Sequence, residues 1–291
     1  MPRFIDISGA APIAAAADVR AAIGALSQVE IENLIGNYEQ ETLDLIARME
    51  TRPDADRRDA IDTLIASLKS SGVWDKLDNF YVFAAANEQA ALLNWVADAR
   101  NCVAYNSPTF TADEGFTGDG ATSYVATESF SGSGLNMASG DESMGIWIKD
   151  NVIESVSSIV LGTSSTGVGG TSPYRYINPR NTNPAISWKM NFSSTQGSGH
   201  TLSNDEWITQ SRDATDGYLW LNGAQDDTTT QAVVDDTQSL VLYLVLGRAG
   251  AATFSTRQFS AAYTGSNLTS GEQTNFYNAL ATYMTAVGAL A

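Results

Sequence analysis

Cysteine, histidine and basic side chains are all scarce in this sequence, and each scarcity removes a class of function. A single cysteine, Cys102, leaves no intrachain disulfide, so the fold must stand on packing alone. Cys102 and the single histidine, His200, are too few for a His/Cys zinc site. Lys and Arg number 16 against 33 Asp and Glu, a formal charge of −17. Nucleic-acid binding needs clustered cations against phosphate, so it is not expected, nor is attraction to an anionic membrane surface. No run of about 18 apolar residues occurs, so no helix is expected to insert into a membrane. The opening Met1-Pro2-Arg3-Phe4-Ile5-Asp6 lacks the basic and apolar regions of a secretory leader, and export by the general secretory route is not expected.

What is present suits a globular, β-rich chain. Of the 291 residues 43% are hydrophobic, enough for a core, and only 17% are charged. That is too few for a disordered acidic tail or a long solvated coiled coil. The length suggests one large domain with something smaller attached.

Residues 1–25 read as a docking arm, with Phe4, Ile5 and Ile7 able to add a short strand to a partner. A helix is expected from Ser27, where Ser27 and Glu30 have capping-box spacing. Ile31, Ile35, Tyr38, Thr42, Leu45 and Met49 then recur at alternating steps of four and three, the spacing of an oligomer seam. Leu34 and Ile46 widen the stripe, so an ordinary amphipathic helix stays open. Thr51-Arg52-Pro53 ends this helix. A second helix from Asp54 carries Ile61, Leu64, Ile65 and Leu68 on one face and stops at Gly72. Residues 26–73 are therefore an αα-hairpin.

From 74 to 268 the pattern changes to short apolar runs between turn residues. Asn222-Gly223, after Tyr218-Leu219-Trp220-Leu221, is a type I′ hairpin signal. Leu240–Leu246 reads as a central strand. Residues 269–291 form a closing helix, introduced by capping-box spacings at Thr269/Glu272 and Ser270/Gln273. Its stripe of Phe276, Leu280, Tyr283 and Val287 predicts packing on the sandwich or on the hairpin.

Three stretches, in order, resemble the laminin-G-like, concanavalin A-type jelly rolls. Gly115–Val125 is similar to that family's early F-x-G-D-G-x-x-x-Y-V hairpin. Gly217–Gly223 is similar to a late hairpin ending in Asn-Gly, and Tyr263 through Gln273 to its last strand and following helix. The fold class expected is mainly β: an antiparallel jelly-roll (concanavalin A/laminin-G-like) sandwich with an N-terminal αα-hairpin and a C-terminal helix. The runs Ile61–Leu77, Asn94-Trp95 and Tyr283–Gly288 resemble structural proteins of tailed phages and gene transfer agents. That resemblance implies a fibre or spike component of a virion, assembled in bacterial cytoplasm, docked on other virion proteins through residues 1–25 and showing its sandwich to the cell surface.

Reactive chemistry finds little support. The Glu-x-Asp-x-Glu spacing of sandwich glucanases is absent, and doublets such as Asp113-Glu114 and Asp205-Glu206 read as loop charges. Glu39 and Glu41 read as a solvated helix face. No G-x-S-x-G elbow accompanies His200. No catalytic residue is assigned, and the chain is read as a non-enzyme. No cofactor is required; calcium stays open through Asp226 and Asp227, oxygen donors after the Asn-Gly turn. Glycan binding is the sharper expectation, because sugars are held by aromatic faces with a few polar groups fixing orientation. Tyr174, Tyr176 and Arg180, with Trp188 and Trp207, offer that mixture. The function expected is host-surface polysaccharide adhesion by a homo-oligomer, a trimer, because linked weak sites gain effective affinity. A ligand-free capsid or baseplate connector and a polysaccharide depolymerase are the alternatives.

Overall fold

Helix α1 spans Gln40–Ala47 and α2 spans Ala55–Ser70, so the turn between them holds Pro53. The computed structural model describes residues 38–128, 130–131, 133–152, 154, 159–164, 175–179, 186–233, 241–246, 248–249 and 253–290. The expected arm residues Phe4, Ile5 and Ile7, and the seam residues Ile31 and Ile35, lie outside these. Tyr38 and Glu39 are not helical, so the helix expected to run from Ser27 past Met49 is interrupted there. Asp54 caps α2 by accepting the Arg57 N–H at 2.9 Å, as the sequence before a proline-bounded turn suggests.

The seam expectation needs correction at its described end. Leu45 is fully buried among the α2 residues Ile61, Leu64, Ile65 and Leu68, and Met49 packs on the same cluster. Thr42, also buried, donates to Asp62 at 2.8 Å. This part of the stripe is consumed inside the chain, because α1 is too short to shield α2 and still face a partner. Glu41 is also no free solvated charge; it pairs with Lys69 at 2.7 Å.

A short 3₁₀ turn, Trp74–Lys76, leads into the strands. These are β1 (Leu77–Val82), β2 (Cys102–Tyr105), β3 (Thr109–Thr111), β4 (Gly115–Thr117), β5 (Tyr124–Thr127) and β6 (Phe130–Ser131). A one-turn helix α3 (Glu88–Ala91) separates β1 from β2. Then come β7 (Glu142–Ile148), β8 (Leu161–Ser164), β9 (Arg175–Pro179), β10 (Ile186–Met190), β11 (Gln196–Ser198) and β12 (Glu206–Arg212). The last are β13 (Asp216–Leu221), β14 (Ala224–Thr230), β15 (Val241–Leu246), β16 (Arg248–Ala249), β17 (Thr253–Phe254) and β18 (Gln258–Gly265), before helix α4 (Ser270–Ala286).

The first sheet has the order β14-β13-β12-β7-β18-β4-β3, with β1 also paired to β18. The second runs β11-β10-β9-β8-β15-β5-β2, with β6 beside β15, which places β15 centrally as its unbroken apolar run predicts. The strand pairs are antiparallel, and the chain is an antiparallel jelly-roll-type sandwich. Met144, Ile146, Ile148 and Ile208 from the first sheet meet Val125, Leu161, Ile177, Ile186 and Leu246 from the second in one buried core.

The outer face of the first sheet is covered. Phe80, Trp147, Trp207 and Tyr263 project from it against Phe276, Leu280 and Tyr283 of α4 and the apolar face of α2. Trp207 lies 5.4 Å from Phe276 and 5.6 Å from Tyr263, ring centre to ring centre. The closing helix therefore packs on both sandwich and hairpin, with the Thr269–Glu272 capping box formed. Asn222 and Gly223 have φ of 51° and 78°, the type I′ turn expected. The tip of that hairpin docks on α4, where Thr274 Oγ1 donates to the Gly223 carbonyl at 3.0 Å.

The Gly115–Val125 stretch is not a hairpin. Strand β4 belongs to the first sheet and β5 to the second, so the segment is a corner that crosses the sandwich. Asp119 builds it: its Oδ1 accepts the N–H groups of Ala121, Thr122 and Ser123 at 2.7–2.8 Å. Those backbone donors hold the Asp119 carboxyl well below the usual carboxylate range. A side chain at Gly118 would put its Cβ 2.0 Å from the Ser255 carbonyl oxygen, so only glycine fits the approach.

Candidate functional site

Cross-strand register fixes which residues of β9 and β10 look outward. Trp188 pairs with Ile177, and both are fully buried in the inter-sheet core. Their neighbours therefore point the other way, since side chains alternate along a strand. Those neighbours are the pairs Tyr176–Lys189 and Ser187–Asn178, which form two successive rungs on the outer face of the second sheet. Tyr176 and Lys189 are half-buried, whereas Asn178 and Ser187 are buried. On the β8 side Tyr176 meets Gly162, and the Ile159 side chain packs over that glycine, where a Cβ would come within 3.2 Å of its Cγ2. The Tyr176 hydroxyl is held by a 2.5 Å hydrogen bond with Thr195 Oγ1. The helices that cover a sheet face, α2 and α4, lie on the other sheet.

Further along the same face, Tyr105 and Tyr124 stack at 4.8 Å with planes 10° apart, and Phe254 of β17 sits 6.2 Å from Tyr124. Burial and the neighbouring Tyr124 raise the Tyr105 hydroxyl above its ordinary pKa, so it stays a neutral hydrogen-bonding group at physiological pH. Among the described residues this face combines flat aromatic rings, the cationic Lys189 and amide or hydroxyl groups, on an antiparallel frame. Chemically it can stack, donate and accept hydrogen bonds; no activated nucleophile stands on it among the described residues.

Of the residues singled out from sequence, Tyr176 is on this face, while Tyr174 and Arg180 lie outside the described residues. Trp188 and Trp207 must be corrected. Both are fully buried, Trp188 between the sheets and Trp207 beneath α4, so neither has a face to offer a sugar. The alternation of Ile186, Trp188 and Met190 already carried that signal. Lys189 was missed, although the same alternation assigns it to the face opposite the core; Ser187 and Asn178 share that face but are buried.

Asp226 and Asp227 also have other work. Ser198 Oγ donates to Asp226, and Trp188 Nε1 donates to Asp227 Oδ2 at 3.3 Å. Ser198 and Trp188 belong to the second sheet and the aspartates to the first, so this pair clasps the sandwich edge. Among the described residues no group of three or more His, Cys, Asp or Glu side chains converges as a metal cage.

The buried acids Glu142 and Glu206 are also committed. Glu142 pairs with Arg175 and accepts from Asn191 Nδ2 at 2.9 Å, joining the sheets through a buried ionic bridge. Arg212, alongside, donates to the Met190 and Asn191 carbonyls at 3.2 and 2.9 Å. Glu206 holds His200 Nε2 at 2.7 Å and accepts the Ser203 N–H at 2.9 Å.

No family model and no curated protein matches this chain. Solved structures with a similar fold include the Trypanosoma rangeli sialidase, at TM-score 0.52 and 11% identity over 76% of this chain. The same sialidase in complex with sialic acid gives 0.51 and 11% over 75%. In each the match takes in only 38% of the sialidase chain. Domain 4 of AbnA, a GH43 extracellular arabinanase from Geobacillus stearothermophilus in complex with arabinotriose, gives 0.47 and 14%, covering 69% of this chain and 98% of that one. At these identities the likeness is one of fold: the chain is a β-sandwich of the kind the sialidase contains.

Proposed function

We propose that this chain is a non-enzymatic adhesin whose second sheet binds polysaccharide on a host surface. The observation that carries the reading is the Tyr176–Lys189 rung: an aromatic ring beside Gly162, with a cation paired to it, on the sheet face that the helices leave uncovered. A sugar's C–H face stacks on such a ring while the lysine orients its hydroxyls. The similar sandwich within the sialidase, a protein solved with sialic acid, supports carbohydrate as the ligand class. Binding is favoured over hydrolysis by the acids themselves. Glu142, Glu206, Asp226 and Asp227 are each engaged by a neighbouring side chain, and all four hold the sandwich together.

The setting we propose is a tailed-phage-type virion, on the strength of the sequence resemblance, with residues 1–25 docked on other particle proteins. Display as a homotrimer would multiply weak sugar contacts, its seam now resting on Ile31, Ile35 and Tyr38. A glycan array probed with the full chain tests the central claim. Retention of bacterial surface polysaccharide, weakened roughly tenfold or more by Tyr176→Ala, is the expected result. New reducing ends on incubation would overturn the non-enzymatic reading. Absence of any glycan signal would instead favour a purely structural connector.

A further inference from the structure

Beyond its first turn, the outer side of α4 is free of charge in a chain whose formal charge is −17. Residues 273–291 contain no Asp, Glu, Lys or Arg. Asn275, Asn278, Thr282, Thr285 and Ala286 are nonetheless exposed, with Tyr277 and Ala281 half-buried beside them. An exposed helix face ordinarily shows charged side chains to water, whereas the centre of a protein–protein contact is depleted in them. The threonines are also less hydrophilic than their type suggests. Thr282 and Thr285 donate their hydroxyl hydrogens to the Asn278 and Ala281 carbonyls, four residues back, at 2.8 and 2.9 Å. Those donors are therefore satisfied within the helix. The Tyr277 ring stacks on Trp147 at 6.0 Å with planes 11° apart, which fixes one edge of the face to the sheet below.

Geometry and charge together name the occupant. A groove of about 690 Å³ on this face is lined by two adjacent rows, Tyr277, Ala281, Thr285 and Asn278, Thr282, Ala286. Rows at this i, i+4 spacing are the ridges of helix packing, and two helices that interlock them cross at about −50°. Such packing is symmetric: each helix offers the same rows to the other, so one surface can be its own partner about a twofold axis. The polar groups fit that arrangement too. An asparagine amide both donates and accepts, so Asn275 and Asn278 match their own copies, which a carboxylate or an ammonium cannot do. Two chains of this charge repel, but across a charge-free contact the like charges stand apart, and salt screens them beyond about 8 Å. A basic partner, by contrast, would find no acid on α4 after Glu272 to pair with.

We infer that two copies of this chain pack on this face, α4 against α4 about a twofold axis. The contact is separate from the proposed trimer seam and holds with or without it. Sedimentation equilibrium of the full chain tests it, with Thr282→Glu and Thr282→Lys as the variants, because Thr282 is exposed and leaves the core untouched. The expected wild-type mass is that of an even number of chains. Both variants should halve it while circular dichroism shows the fold intact, and added salt should tighten the pairing by screening the distant like charges. The seam is read by a different factor, since Ile31→Ser with Ile35→Ser would divide the mass by three. A single-chain mass would leave the face to another protein and overturns the inference. So does an odd number of chains, a mass that Thr282→Lys leaves unchanged, or pairing that salt loosens.

Discussion

The outer faces of the two sheets use the same aromatic residue types to different ends. On the first, Trp147, Trp207 and Tyr263 are sealed beneath α2 and α4. On the second, Tyr176 stays half-buried beside Lys189, and Tyr105 and Tyr124 stack on one another. The strands alone do not make this difference. It comes from segments before β1 and after β18, whose apolar stripes need a sheet to bury against. Once those stripes have taken one face, the other keeps only a small apolar cluster, Tyr124 and Ala126 with Tyr105 and Phe254, beside polar groups and the half-buried Tyr176. What an aromatic residue does here depends on what covers its face.

Breaking the covered face should cost the most. Trp207→Ala removes a fully buried ring that touches Phe276 and Tyr263. A loss of about 3–5 kcal/mol is expected, typical of a buried aromatic truncated to alanine. Chemical denaturation would show it as a lower midpoint with unchanged slope. A loss under about 1 kcal/mol would mean that α4 does not seal the sheet as described.

The same face should also respond to alkali. Burial raises the hydroxyls of Tyr263 and Tyr283, and the Tyr283 pKa is pushed up to about 12 despite the opposing pull of Arg57. An unfolded tyrosine ionises near pH 10. Because the folded value is the higher, the proton-bound native state is favoured fully below pH 10. That contribution is lost as pH rises from about 10 toward 12, on the order of 2 kcal/mol for Tyr283 alone. Calorimetric melting from pH 8 to 11.5 should show the decline, and Tyr283→Phe should flatten it.

Much of this asymmetry was legible in the sequence, though not all in the same way. The stripe Phe276, Leu280, Tyr283 and the Thr269 capping box announced a buried closing helix, and Asn222-Gly223 announced its turn, because these signals are local. The run Leu240–Leu246 announced a central strand, because an unbroken apolar run of that length suits one. Failures came where partners are distant. Leu45 and Met49 carry a heptad pattern, but periodicity cannot tell a second copy from a neighbouring helix of the same chain. Asp226 and Asp227 looked like free oxygen donors because Ser198 and Trp188, which engage them, are 28 and 39 residues away in sequence. The Gly115–Val125 motif read as a hairpin through its resemblance to the laminin-G-like motif; nothing local says that its strands enter different sheets.

That corner sharpens the comparison with a smaller effect, since it joins the two sheets while belonging to neither face. Asp119→Ala removes the acceptor of three backbone N–H groups and should cost about 1 kcal/mol. Because the folded carboxyl sits below its unfolded value, its contribution is present above about pH 4 and fades as acid protonates it. Thermal melts at pH 7 and pH 3 should therefore separate wild type from Asp119→Ala more at the higher pH.

The smallest stability effect should come from the open face. Tyr176→Ala gives up one hydrogen bond to the exposed Thr195 and a half-buried ring, so a loss under about 1 kcal/mol is expected. The contrast with Trp207→Ala is the point: one aromatic truncation should unfold the chain easily and leave no surface function to measure, while the other should leave the melting curve nearly in place and remove sugar retention. A Tyr176→Ala protein that melts as badly as Trp207→Ala would mean that the second sheet's outer face is also a core, covered from outside, and the difference between the two faces would vanish with it.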